Sequence, residues 1–287
     1  MPPVPGQVRP RSTGLRAAII TAGAVVAVFG LAGATTTAIA RTHDFPVTSL
    51  ADSVATNGIS AIEIRSGMGD VTVVTGTGQS IEYELTARGA RTAEDLVTRD
   101  GSTLVFDTRR DGDRWDWGFG WPGWDDDQRI IITVPARLVP DLTLDAGTGE
   151  VTIAGDFGDV ELHAGVGDVT LSGTAASLRI DSGVGRVRAD AATDGPVVVT
   201  GGVGEAIVDL GTTTAPESVT LDAGVGSVQL LLPPLTRGYD VRVDGGIGEV
   251  LRGEPQADPA GVDAGPVPVT IRGGVGEVVV GTSVASH

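Results

Sequence analysis

Cysteine is absent from these 287 residues, and so is lysine. Without cysteine the chain forms no disulfide, binds no metal through thiolates and has no thiol nucleophile. Without lysine it has no Schiff-base amine and no GxxxxGK phosphate loop. All 20 basic residues are arginine, a bias that a GC-rich coding sequence explains without invoking function. Aromatic residues make up only 4% of the chain. Histidine occurs three times, at His43, His163 and His287, too far apart in sequence and setting to assemble a Ser-His-Asp triad or a His-rich metal site. Basic charge is in deficit as well: a net charge of −17 argues against nucleic acid, whose phosphates need cationic partners.

What the chain has in abundance is glycine, 43 residues of it, much of it in one recurring pattern. Eight copies of a twelve-residue unit carry a GxG at positions six and eight: IEIRSGMGDVTV from Ile62, LTLDAGTGEVTI from Leu142, VELHAGVGDVTL from Val160, LRIDSGVGRVRA from Leu178, VVVTGGVGEAIV from Val197, VTLDAGVGSVQL from Val219, VRVDGGIGEVLR from Val241 and VTIRGGVGEVVV from Val269. Their starts lie 80, 18, 18, 19, 22, 22 and 28 residues apart, so the last seven form a tandem array at a solenoid period. Within a copy, apolar positions 160, 162 and 164 alternate with Glu161 and His163, the period of a strand with one buried face. Alternation resumes after the glycines at Val169 and Leu171, shifted by one residue, which implies a corner between two short strands. The expected corner glycines in the array are Gly147 and Gly149, Gly165 and Gly167, Gly183 and Gly185, Gly202 and Gly204, Gly224 and Gly226, Gly246 and Gly248, and Gly274 and Gly276. They admit a sharp bend and leave room for the next coil. The residue between them, most often valine, is expected to point inward and plug the corner.

The pattern predicts an all-β chain: a single-stranded, β-helix-like solenoid of 18–22-residue coils after one amino-terminal transmembrane helix. Residues 15–40 carry no charge after Arg16 and are long enough to cross a bilayer. Arg9, Arg11 and Arg16 precede them, so residues 1–14 are expected in the cytoplasm and everything after Arg41 outside. Ala38-Ile39-Ala40 also fits a cleavage site, which makes the rival reading a removed secretory leader and a secreted product. Both readings export the same domain. Residues 41–60 read as a polar juxtamembrane spacer and 61–287 as the extracytoplasmic solenoid. In the 80-residue interval before the array, strands are expected at Ile81–Ala87, Leu104–Asp107 and Arg129–Val134, with a helical turn near Thr92–Val97. This interval reads as an irregular cap over the end of the stack, with an inserted loop at 111–127.

The run from Ile130 to Leu171, a strand ending in Val-Pro, then LTLDAGTGEVTI, then GDFGDVELHAGVGDVTL, resembles the bacterial candidate adhesins of the domain-of-unknown-function 4097 family. The resemblance covers about residues 60 to 285. It implies an amino-terminal membrane segment followed by glycine-punctuated strands in a β-helix-like stack, and it implies almost nothing about chemistry. The long aromatic loop and the wide interval between Pro255 and Pro268 depart from the family pattern.

Two constellations are candidates for function. The residues directly after each GxG are Asp70, Glu150, Asp168, Arg186, Glu205, Ser227, Glu249 and Glu277. Stacked coils would set them about 4.8 Å apart. They read either as solvated corner residues with one ionic rung at Arg186, or as a cation-binding edge using Asp168, Glu205 and Glu249. The calcium-binding GGxGxDxUx pattern itself is not present. The second constellation is DGDRWDWGFGWPGWDDD from Asp111, which holds all four tryptophans. Trp115, Trp117, Phe119, Trp121 and Trp124 read either as a loop folded over apolar surface of the stack or as an exposed aromatic platform for a partner. The surrounding aspartates disfavour anionic lipid, so an envelope glycan or a protein is the expected partner. No catalytic residue and no cofactor are assigned. The expected role is a non-enzymatic, membrane-anchored, adhesin-like or structural protein of the cell envelope. Its rivals are an envelope-stress sensor working through a membrane partner and a carbohydrate-active β-helix enzyme.

Overall fold

A computed structural model describes residues 47–88, 96–109, 128–211, 214–235, 238–244, 250–252 and 265–282. Residues 15–40 lie outside them; among the described residues no helix is long and apolar enough to cross a membrane. The strands are β1 (Val47–Ala55), β2 (Ala61–Met68), β3 (Asp70–Gly76), β4 (Ser80–Arg88), β5 (Val97–Asp100), β6 (Thr103–Asp107), β7 (Arg129–Pro135), β8 (Asp141–Thr148), β9 (Val151–Val166), β10 (Val169–Thr193), β11 (Pro196–Asp209), β12 (Ser218–Leu232), β13 (Tyr239–Asp244), β14 (Val250–Arg252), β15 (Val267–Arg272) and β16 (Val275–Thr282). The described residues are thus all-β, and the strands join into one continuous hydrogen-bonded network.

Period-two alternation becomes a stack because like pairs with like. Leu142 pairs in parallel register with Ile62 and Val160, Leu178 with Val160 and Val197, and Val219 with Val197 and Val269. The first residues of these seven copies therefore form a column in which none is more than 2% exposed. A second column runs through Ile64, Leu144, Leu162, Ile180, Val199, Leu221 and Ile271, and a third, beyond the corner, through Val71, Val151, Val169, Val187, Ala206, Val228 and Val278. Short β-branched side chains suit so narrow a core, since they pack rung upon rung on a pleated surface. The sparing use of large aromatics is a consequence of the same geometry.

The interval between the first two copies builds the cap. β6 lies parallel to β2, with Leu104 beside Ile62 and Phe106 beside Ile64, and β7 lies parallel to β3, with Ile130 beside Val71. Together they form one further coil. Antiparallel strands finish this end: β5 on β6, β4 on β7 and β1 on β4. Tyr83 of β4 meets Phe106 of β6 edge to face across the interior, with ring centroids 5.4 Å apart. The three strands expected in this interval are β4, β6 and β7.

Two expectations need correction, and a third falls largely outside the described residues. The stretch read as a spacer contains β1, whose nine residues all pair with β4, so the folded domain already includes Val47. Of the helical turn expected near Thr92–Val97, only Leu96 and Val97 lie within the described residues: Leu96 is helical and Val97 begins a strand. Nor do the coils stack in chain order to the end. β15 inserts between β12 and β13, so the copy from Val269 lies on the copy from Val219 and the copy from Val241 is outermost. The longer intervals of 22 and 28 residues provide the connections for that exchange.

Candidate binding edge

Each corner needs both of its glycines, for different reasons. Gly167 has φ of 142°, where an L side chain is strained, and a Cβ there would also run into the carbonyl oxygen of Gly149 on the coil below. Gly165 has no such φ, yet a Cβ on it would meet the carbonyl oxygen of Gly147. The same pair of conflicts recurs at every described corner of the array; Gly246 and Gly248 lie outside the described residues. Backbone thus rests on backbone all along this edge.

The residue between the glycines does not plug the corner. Val166, Val184, Val203, Val225 and Val275 are between 48% and 51% exposed. The bend starts at the first glycine, so the next residue sits on the convex side of the turn, which is the outside of the coil. Register pairs Val166 with Val184, Val184 with Val203, Val203 with Val225 and Val225 with Val275. Thr148 and Met68 continue the row toward the cap. An apolar ladder therefore runs along the outside of the stack at the strand spacing of about 4.8 Å. Beside it lies a shallow depression at Ser182, Gly201 and Ala223, where Gly201 leaves open space in place of the side chains on either side.

Charges flank this ladder. On the far side of the corner, Arg186 bridges Asp168 at 3.4 Å and Glu205 at 3.0 Å, while its backbone N–H donates to Asp168 Oδ1 at 3.0 Å. The bond to Glu205, and after it the field of Asp168, hold the guanidinium pKa above its ordinary value. Nearer the cap the backbone N–H of Glu150 donates to Asp70 Oδ1, and Arg129 stands 3.9 Å from Asp70. Of the residues considered for a cation, Asp168 and Glu205 are brought together only through Arg186, and Glu249 lies outside the described residues. Among the described residues no three carboxylates or histidines converge on a metal-sized site. A guanidinium occupies the position a bound ion would need.

A second ladder lies on the near side, at the fourth position of each copy. In register it runs Asp107, Arg65, Asp145, His163, Asp181, Thr200, Asp222, Arg272 and Asp244. His163 Nδ1 is 3.2 Å from Asp181 and Nε2 is 3.5 Å from Glu161. Arg272 is 3.3 Å from Asp222, and Arg109 reaches both Asp107 and Asp145. Sequence reasoning passed over this row because its alternation of sign shows only once the true stacking order is known. The rungs are exposed, so each adds little stability.

The cap coil differs at this same corner. Register sets Asp107 beside Arg65 and Arg129 beside Asp70. The other coils turn here with G-x-G; the cap coil instead spans residues 108–128, including the tryptophan-rich stretch. Trp115, Trp117, Phe119, Trp121 and Trp124 lie outside the described residues; β6 ends beside Arg65 and β7 begins beside Asp70, at the head of the valine ladder.

A sequence profile described as Toastrack DUF4097 matches residues 59–229. Two solved structures align with most of the chain. One is a candidate cell adhesion protein from Clostridium sporogenes, 13% identical with a TM-score of 0.36, the alignment covering 83% of this chain and 100% of that one. The other is a candidate adhesin from Bacteroides fragilis, 13% identical with a TM-score of 0.39, covering 82% and 97%. At that similarity neither carries an argument about function. No curated protein matches the chain. The matched profile spans the first six glycine corners and the cap coil between the first two, more than half of the chain, and on that ground this protein belongs to the Toastrack DUF4097 family.

Proposed function

We propose that this chain is a non-enzymatic, adhesin-like or structural binding protein of the bacterial cell envelope. Residues 15–40 anchor it in the membrane, and the solenoid stands outside. The observation that carries the reading is the row of half-exposed valines on a backbone-stacked edge. Folded proteins seldom leave apolar side chains in line on their surface without a use for them. A rigid stack presents such a row at fixed spacing, so weak contacts add along one partner. The tryptophan-rich segment enters at the head of the row, and Trp115, Trp117, Phe119, Trp121 and Trp124 are the aromatic contacts proposed for an envelope glycan or protein. Against catalysis stands the disposition of the described carboxylates: they are spread along a convex edge and matched with arginines rather than converging in a cleft.

Sedimentation of the protein with purified cell-wall and envelope-protein fractions tests this. Replacing all four tryptophans with alanine, or Val184 and Val203 with aspartate, is expected to abolish co-sedimentation while the melting temperature stays put. Unchanged binding with a lowered melting temperature overturns the reading. Protease accessibility in intact cells and spheroplasts tests the exported topology, and amino-terminal sequencing of the mature protein shows whether the leader is cut.

A further inference from the structure

The two ends of the stack are not alike. Beyond the cap coil, antiparallel strands β5, β4 and β1 cover one end, and the outermost, β1, pairs only with β4 among the described residues. At the other end β13 pairs only with β15 among the described residues. Among the described residues it therefore presents an unpaired strand edge, with every second backbone N–H and C=O directed away from the sheet. Its inward side chains are poorly covered too. Val241 and Val243 continue the columns of Val269 and Ile271, which are fully buried, yet both are only partly buried.

We propose that β13 pairs with β13 of a second copy of this chain, antiparallel, about a two-fold axis at Val241. The strand's own sequence selects that register. Opposed residues in an antiparallel pair face the same side of the sheet, so keeping inward side chains together requires the axis to pass through a residue and not between two. Centred on Val241, Asp240 faces the partner's Arg242 and Arg242 faces the partner's Asp240, while Tyr239 faces the partner's Val243. Centred on Arg242, arginine would face arginine and Asp240 would face Asp244, with like charges directly opposed. Centred on Val243, the paired stretch would run past the end of β13 into the next corner. The pairing satisfies the outer edge of β13 and sets its valines beside their own counterparts. A two-fold contact uses up the same edge on both copies, so association through β13 stops at a dimer. This inference is independent of what the valine ladder binds.

The absence of cysteine makes the test direct, since one introduced thiol is unique in the full-length chain. A residue on the axis opposes itself at a Cβ separation of about 5 Å, near disulfide range. Val241→Cys, oxidised in the membrane or in detergent, is expected to give a crosslinked dimer as the major product, and Ser53→Cys on β1 at the opposite end a monomer. Asp240→Arg is expected to raise the dimer dissociation constant by about tenfold or more through opposed arginines. The exchange Asp240→Arg with Arg242→Asp is expected to restore it, which separates pairing from a damaged fold. A protein that sediments as a monomer at its highest soluble concentration, a Ser53→Cys crosslink in place of the Val241→Cys one, or no recovery in the exchanged variant overturns the proposal.

Discussion

Gly204 rests on Gly185 so closely that a Cβ on Gly204 would strike the Gly185 carbonyl oxygen; two coils of the stack touch there through backbone alone. The contact is repeated at each described corner, and it ties the stacking to glycine more strictly than to any apolar residue.

Gly204, at φ of 147°, and Gly201, three residues earlier, should therefore respond to alanine in opposite directions. Gly204→Ala is expected to lose about 2 kcal/mol or more of stability, from strain at positive φ together with the clash. Gly201 has nothing within 4 Å of the place a Cβ would take. Gly201→Ala fills that space and restricts the unfolded chain, for an expected gain of about 0.5–1 kcal/mol. Urea denaturation of the two variants checks both signs.

Corner valines and column residues should also part company. Val184→Thr keeps the branched shape at a half-exposed site and is expected to change stability by less than about 0.5 kcal/mol. Ile180, four residues away and fully buried, is expected to cost about 2–5 kcal/mol as alanine. Equal losses at the two sites would mean that the corner valine is part of the core after all.

Arg186 is exposed, so its contribution should be electrostatic and sensitive to salt. Arg186→Gln leaves Asp168 and Glu205 flanking an uncharged rung. A lowered melting temperature is expected in dilute buffer, with the difference from the parent closing near 1 M salt, where the screening length falls to about 3 Å. A difference that persists at high salt would point to packing instead.

Alkaline pH offers a clean window because the chain has no lysine and only two tyrosines. Burial first, and the nearby Asp52 second, raise the pKa of Tyr83 above the ordinary 10.0. The folded state thus holds the phenol proton more tightly than the unfolded chain does. Tyr83's share of stability is full below about pH 10 and is lost as pH rises through the folded-state value. Melting temperatures measured across that range should fall for the parent and stay flatter for Tyr83→Phe, which keeps the ring against Phe106.

Much of the fold was legible because it is written locally. Alternation at Val160, Leu162 and Ala164 names a strand and its buried face, and GxG at a fixed phase marks the corner. The three strands of the cap were legible for the same reason. The orientation of Val166 was not, since two residues without Cβ atoms surround it and alternation loses its meaning where the chain bends. The tryptophan-rich stretch stood out by composition, but that β6 ends and β7 begins at the head of the valine ladder depends on the two strands lying on β2 and β3, a pairing that no local pattern announces.

By itself, the sequence determined the repeating unit, the glycine at each bend and the small β-branched core, because propensity, periodicity and backbone sterics act over a few neighbouring residues. Tertiary structure alone decided the order of the last rungs, with Val269 lying between Val219 and Val241, the antiparallel pairing of β1 with β4 at one end and the outward turn of the corner valines. These depend on which strand edges meet across long stretches of chain. Coils built from nearly the same twelve residues offer nearly the same edge, so only the lengths and paths of the connections could choose among them.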